Sequence, residues 1–189
     1  KRHQPRRGRT LSCPTGHAAL RKAGADTPYK IALQMLLRSY DGKRGELYEK
    51  LLRRGTRIFC HGSDDNHNAK PDDSSYSDSG IAFTMIKADK LEYETITKAL
   101  VDGNFYASEG PEIYDLWVED DKIHIKTSPA DSISIVYQHR ASQRVMHEDY
   151  SPVTEAELIY RPEYGYFRIT VTDKNGKHAC TNAYFLSEE

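Results

Sequence analysis

The sequence predicts an α+β chain in two parts: an α/β portion of the kind that returns helices to a barrel or open sheet, then an antiparallel β-sandwich. Three observations predict it. Residues 46–60 run helix, glycine turn, strand. A second strand and helix follow over 81–103. From residue 112 the texture changes to short alternating runs broken by turn chemistry. The expected division is a basic, atypical segment at 1–44, the α/β portion at 45–111 and the sandwich at 112–189.

Taken in order, residues 31–40 read as a short amphipathic helix and 46–54 as another. In the second, Leu47, Leu51 and Leu52 form the apolar stripe while Glu46, Glu49, Lys50 and Arg53 stay in water, and Gly55 stops the helix. A strand is expected over 56–60. The stretch CHGSDDNHN, from Cys60 to Asn68, then lies at that strand's C-terminal end, where parallel barrels gather their functional groups. Residues 66–80, with six Ser/Asn and three Asp around Pro71, are too polar for a core and read as an exposed loop or flap.

The next strand is expected over 81–88 and the next helix over 91–101, closed by Asp102 and Gly103. Residues 106–111 read as a connector at the division. Alternating strands are then expected over 113–118, 122–126, 132–137, 155–160, 166–171 and 178–185. Turn chemistry separates them at 119–122, 128–131 and 173–177, the last carrying an Asn175-Gly176 hairpin signal. Period-2 logic points Ile123, Ile125, Ile133, Ile135, Phe167, Ile169 and Val171 into the sandwich.

The chain has 189 residues, enough to bury a sizeable core without staples. Its mean hydropathy of -0.75 and 29% charged residues, with no apolar run near the roughly 20 residues of a bilayer span, predict no membrane association. Cys13, Cys60 and Cys180 are odd in number and form no CxxC pair, which argues against a disulfide framework or a thiolate zinc site and for a reducing compartment. Residues 1–6 lack the apolar stretch of a secretory signal, so the cytoplasm is expected. The net charge of -1 hides an asymmetry. Residues 1–30 carry eight Lys/Arg against one Asp, which leaves nineteen against twenty-seven in the remainder. Such an arm either binds nucleic acid through counterion release or is a loosely ordered terminus.

In CHGSDDNHN, Asp65 and His67 stand at i and i+2, and beyond a strand that spacing can present a carboxylate oxygen and an imidazole nitrogen to one divalent cation. The alternative is an Asx-turn region, with Asp64, Asp65 and Asn66 bonded to backbone and His67 solvated. His61 is either an outer support of that site or a buried structural histidine. His124, His139, His147 and His178 share no ligand spacing and read as ordinary histidines. Ser108 lacks the GxSxG turn of a nucleophile. The 13 tyrosines suit either a stacking surface for sugars or bases or half-buried sheet positions.

Three stretches carry a resemblance: Gly55 to Asn68, Lys98 to Ile113 and Ile125 to Ala130. Together they resemble the C-terminal part of polymerase and histidinol phosphatase (PHP) domain proteins of the type with an appended β-sandwich, over roughly residues 45 to 186. The resemblance implies the end of a distorted β/α barrel, a cluster of manganese, zinc or iron at its C-terminal face, and hydrolysis of phosphoesters by a metal-bound hydroxide. The substrate implied is a phosphorylated small molecule or nucleotide. Asp65-Asn66-His67 matches the family's final Asp-x-His motif, so by resemblance Asp65 and His67 are metal ligands. Asp64 matches a neighbouring Asp with no assigned role. The family's earlier motifs, a His-x-His, a Thr-Asp-His and a metal-bridging Glu, do not precede residue 45, where His3 and His17 are the only histidines.

The function expected is therefore that of a truncated or divergent metal-dependent phosphoesterase, weakly active or inactive alone, since two ligands do not hold a metal cluster and the chain alone need bind none. Two alternatives stand beside it. One is a non-catalytic β-sandwich interaction module that pairs with itself through open strand edges; the other is nucleic-acid binding through residues 1–30.

Overall fold

The computed structural model describes residues 9–10, 42–64, 66, 79–138 and 142–186, with the backbone alone for 9–10 and 42–47. Among the described residues, eleven strands and two α-helices follow one another. They are β1 (Arg9–Thr10), α1 (Gly42–Arg53), β2 (Phe83–Ile86), α2 (Tyr93–Asp102), β3 (Phe105–Ser108), β4 (Ile113–Glu119), β5 (Lys122–Ala130), β6 (Ser132–Tyr137), β7 (Ser142–Val145), β8 (Val153–Ile159), β9 (Tyr166–Thr172), β10 (His178–Thr181) and β11 (Tyr184–Phe185). The expected helix at 31–40 lies outside the described residues.

The strands form two sheets in which every pairing is antiparallel. One has the order β1-β4-β5-β8; the larger has the order β2-β3-β10-β9-β6-β7, with β11 beside β9. Alternation along β5, β6 and β9 buries one face of each strand. Ile123, Ile125 and Leu158 of the smaller sheet meet Ile133, Ile135, Phe167, Ile169 and Val171 of the larger in one apolar core. All seven positions expected to point inward do so. Of the expected turn at 128–131, residues 128–130 are instead the end of β5, and only Asp131 breaks the chain before β6. A register shift between Lys126 and Ala130 absorbs Pro129, and the chain passes from one sheet to the other at Asp131.

The barrel expectation is overturned. Barrel strands run parallel, and a helix carries the chain back to the start of the next one. Here β2 and β3 are antiparallel neighbours, Phe83 opposite Ser108 and Ile86 opposite Phe105, and both belong to the larger sheet. Helix α2 is an insertion in a long hairpin: Lys87 N–H donates to the Asn104 carbonyl at 2.8 Å, so the chain returns beside the point it left. Gly103 makes that return possible. Its φ of +75° is left-handed, and the Phe59 ring occupies the space a Cβ would need. Residues 56–60 form no strand; they cross the outer side of the larger sheet.

There they meet α1, which starts four residues before its expected bound. Tyr48 and Leu52 of the helix, Ile58, and Tyr166 and Ala183 make a second, smaller core, joined by Leu51, Cys60 and Phe185. A buried polar link fixes the helix to the sheet. The Glu49 carboxylate accepts the Tyr166 hydroxyl at 2.8 Å and Arg168 Nε at 2.5 Å. Burial, and then the contact with Glu49, push the Tyr166 hydroxyl up to about 12, so it donates throughout the physiological range.

Candidate functional site

The stretch singled out in the sequence leaves the second core at Ile58 and runs along the edge of β2. From residue 58 to 61 its side chains alternate. Ile58 and Cys60 turn toward α1, while Phe59 and His61 grip the ring of Phe105. Phe59 meets that ring edge-on at 5.8 Å between centroids, and His61 stacks on it at 4.5 Å. Burial against Phe105 lowers the His61 pKa and keeps the imidazole neutral, which fits the structural role of the two considered for it.

Polar anchors fall at alternate residues, 60, 62, 64 and 66. Cys60 N–H donates to Asn182 Oδ1 at 2.9 Å. Gly62 N–H donates to Thr84 Oγ1 at 3.1 Å, and the same hydroxyl donates to the Gly62 carbonyl at 3.0 Å. The approach is so close that a Cβ at Gly62 would strike the Phe83 carbonyl, so only glycine fits. The Asp64 carboxylate accepts three consecutive backbone N–H groups at the entry to β2, Gly80 at 2.7 Å, Ile81 at 2.5 Å and Ala82 at 2.7 Å. Asn66 Nδ2 donates to Ser79 Oγ at 2.6 Å.

Both ends of the polar loop are thereby tied together. Among the described residues, Asp64 and Asn66 reach across the loop to residues 79–82. Asp64 holds the frame. Asp65 and His67, the two expected metal ligands, lie outside the described residues. Among the described residues no group of three or more His, Cys, Asp and Glu side chains could hold a metal ion. The donor types at 65 and 67, carboxylate oxygen and imidazole nitrogen, suit manganese, zinc or iron. Burial pushes the Cys60 thiol up to about 12, so it stands beside the loop as a neutral thiol.

Other candidates resolve into structure. Ser108, expected in a connector, ends β3; it is buried, and its Oγ donates to the Pro111 carbonyl at 2.6 Å while accepting Gly110 N–H at 2.9 Å, which holds the turn that follows the strand. His124 stacks on Trp117 at 5.0 Å, His147 Nδ1 meets Ser151 Oγ at 2.8 Å, and His178 Nδ1 meets Thr172 Oγ1 at 3.1 Å, each on a different strand or loop. His139 and Cys13 lie outside the described residues.

Two contributors escaped the sequence. Asn182 is buried and uses all of its amide: besides accepting from Cys60, its Nδ2 donates to the carbonyls of Gly103 at 3.1 Å and Phe105 at 3.0 Å. Thr84 holds Gly62 from β2. Neither has a local signature, whereas the glycine between His61 and Ser63 did offer one. No protein-family model matches the chain, and no curated protein matches it. No helix among the described residues is long and apolar enough to cross a membrane.

Proposed function

We propose that this chain contributes Asp65 and His67 to a divalent-metal centre for phosphoester hydrolysis, and that the centre is completed by groups outside the described residues. One observation carries the proposal: the ends of the polar loop that carries Asp65 and His67 are tied together, by Asp64 to the backbone of Gly80, Ile81 and Ala82 and by Asn66 to Ser79. The match of Asp65-Asn66-His67 to the Asp-x-His motif of PHP proteins supports the same assignment. A divalent cation bound there supplies Lewis-acid stabilisation to phosphoryl oxygens and lowers the pKa of water. The chain's own part is positional. Asp64 fixes the loop's exit, Asn182 and Thr84 fix its entry, and His61, held neutral against Phe105, adds no competing charge.

Two protein ligands bind a cation weakly, so the chain alone is weakly active or inactive. Isothermal titration of the full chain with Mn²⁺ tests this, together with turnover of an activated phosphodiester at millimolar Mn²⁺. Weak binding that disappears in Asp65→Ala and in His67→Ala is expected. Binding unchanged in Asp65→Ala removes the ligand role, and brisk turnover by the isolated chain contradicts an incomplete centre.

A second reading is favoured by one feature of α2. Leu91 and Tyr93, at its start, are 95% and 85% exposed, which is unusual for an aliphatic and aromatic pair. They favour an interaction module that associates with a second copy or another chain. Sedimentation equilibrium showing a clean monomer across the micromolar range would count against self-association. Apart from the backbone of 9–10, the basic arm of residues 1–30 lies outside the described residues, and nucleic-acid binding through it predicts affinity that falls steeply with salt.

A further inference from the structure

The C-terminal end of α1 and the turn after it carry four cations within eight residues, Lys50, Arg53, Arg54 and Arg57. A reversal of the chain brings the last of them back beside the helix. Gly55 N–H donates to the Leu52 carbonyl at 2.9 Å and Thr56 N–H to the Leu51 carbonyl at 3.1 Å, with Gly55 at a left-handed φ of +78°. Arg57 is exposed, and its guanidinium carbon lies 5.0 Å from the centroid of the Phe185 ring. The only acid between Tyr48 and Arg57 is turned away from this corner. Glu49 accepts Tyr166 and Arg168 beneath the helix, and Arg53 approaches it only to 3.9 Å, so two guanidinium groups share one carboxylate. Arg53 Nε is buried and has no hydrogen-bond partner among the described residues. Arg54 and Arg57 are both exposed and enter no ion pair among the described residues.

We infer that this corner is a binding face for single-stranded nucleic acid, with Arg54 and Arg57 on its phosphates and the Arg57 guanidinium also offering a flat surface to a base. Three of the four cations are arginine, and arginine suits this ligand. Its fork matches two phosphate oxygens at once and its plane stacks on bases, whereas an ammonium group does neither. A membrane surface fits less well. A helix that binds lipid needs an apolar face beside its cations, and here Tyr48 and Leu52 are spent on the second core while Arg57 lies over Phe185. The face is separate in sequence from the basic residues 1–30 and does not depend on the metal role proposed for Asp65 and His67. Cations at a helix C-terminus also offset the negative end of the helix dipole, and that role alone needs no ligand.

The test is fluorescence anisotropy of labelled oligothymidylate and oligouridylate titrated with the full chain across a range of salt, with the melting temperature recorded for every variant. The chains compared are wild type, a glutamine pair (Arg54→Gln with Arg57→Gln) and a lysine pair (Arg54→Lys with Arg57→Lys). Losing two phosphate contacts is expected to flatten the dependence of log affinity on log salt by about 1.4 in the glutamine pair, and to weaken binding about tenfold or more at roughly 0.1 M salt. The lysine pair is expected to keep the wild-type salt dependence and still bind more weakly, since it has the charges without the flat guanidinium groups. Wild-type affinity and salt dependence in the folded glutamine pair overturns the face and assigns the binding to other residues. Should the glutamine pair not fold, wild-type affinity in the lysine pair overturns it instead. A lowered melting temperature with unchanged binding assigns the two arginines to the helix end alone. Failure of the wild-type chain to bind either oligonucleotide, or its capture by phosphatidylserine vesicles in their place, also overturns the proposal.

Discussion

The core between the two sheets and the loop base beside β2 are held by different physics. In the core, Ile123, Ile133, Ile135, Ile169 and Val171 are wholly shielded, each contributing about 1.5–3 kcal/mol by removal from water. At the loop base the chain is only half covered, and side-chain-to-backbone hydrogen bonds from Asn182, Thr84 and Asp64 do the holding. Such bonds net about 0.5–1.5 kcal/mol each, and more where a charge takes part. The fold thus has a strong apolar frame and a weaker polar attachment, and the proposed chemistry is on the attachment. Loops that carry function on a rigid scaffold are built this way.

That contrast can be broken or sharpened by substitution. The largest effect is expected from Phe167→Ala in the core, about 3–5 kcal/mol lost in chemical denaturation, with both regions unfolding together. Asn182→Ala follows, on the order of 1–3 kcal/mol, because it strands the Cys60 amide and two carbonyls in a buried setting. Asp64→Ala is expected to cost about 1 kcal/mol globally while opening the 79–82 backbone, since water replaces the carboxylate at this half-exposed place. The smallest effect is a gain. Tyr48 of α1 is buried and its hydroxyl has no hydrogen-bond partner among the described residues, so Tyr48→Phe is expected to stabilise by up to about 1 kcal/mol, read as a raised denaturation midpoint.

His61 adds a pH dependence. Burial sets its folded pKa below the unfolded value of 6.5, so the unfolded chain takes up the proton first. Its contribution is full above pH 6.5 and is lost as pH falls from there through the folded pKa. Melting curves at pH 5 and pH 7 should therefore converge in His61→Phe, which keeps the stack on Phe105 and removes the titration. An unchanged difference between the two curves would assign the pH dependence elsewhere.

The frame was legible in the sequence because burial on a pleated surface has a period of two, and Lys122 to Thr127, Ile133 to Tyr137 and Phe167 to Thr172 show that period. The Asn175-Gly176 hairpin was legible for local reasons as well, and Asp173 closes it by accepting the N–H groups of Asn175 and Lys177. The strands Phe105–Ser108 and Ser142–Val145 were missed. The first reads as a connector because Ser-Glu-Gly-Pro follows at once; the second, Ser-Gln-Arg-Val, has almost no apolar content and is a strand only because β6 pairs with it. The barrel expectation failed at a definite point. Helix followed by strand is the order of both a parallel crossover and a hairpin with a helix inserted, and only the pairing of Phe83 with Ser108 separates them. At the loop, the donor chemistry of CHGSDDNHN was visible but the division of labour was not. Asp64 and Asn66 read in sequence as turn residues, and it takes the fold to show that they reach across the loop to the residues at 79–82.

The central claim is that Asp65 and His67, in a loop whose ends Asp64 and Asn66 tie together, hold a cation, and paramagnetic broadening tests it most directly. Substoichiometric Mn²⁺ added to the ¹⁵N-labelled full chain should erase the amide signals of Gly62, Ser63, Gly80 and Ile81 first and leave those of Ile135 and Ile169 sharp, with the effect gone in a chain carrying both Asp65→Ala and His67→Ala. Broadening centred elsewhere, or broadening at the loop that survives the double substitution, would contradict the account.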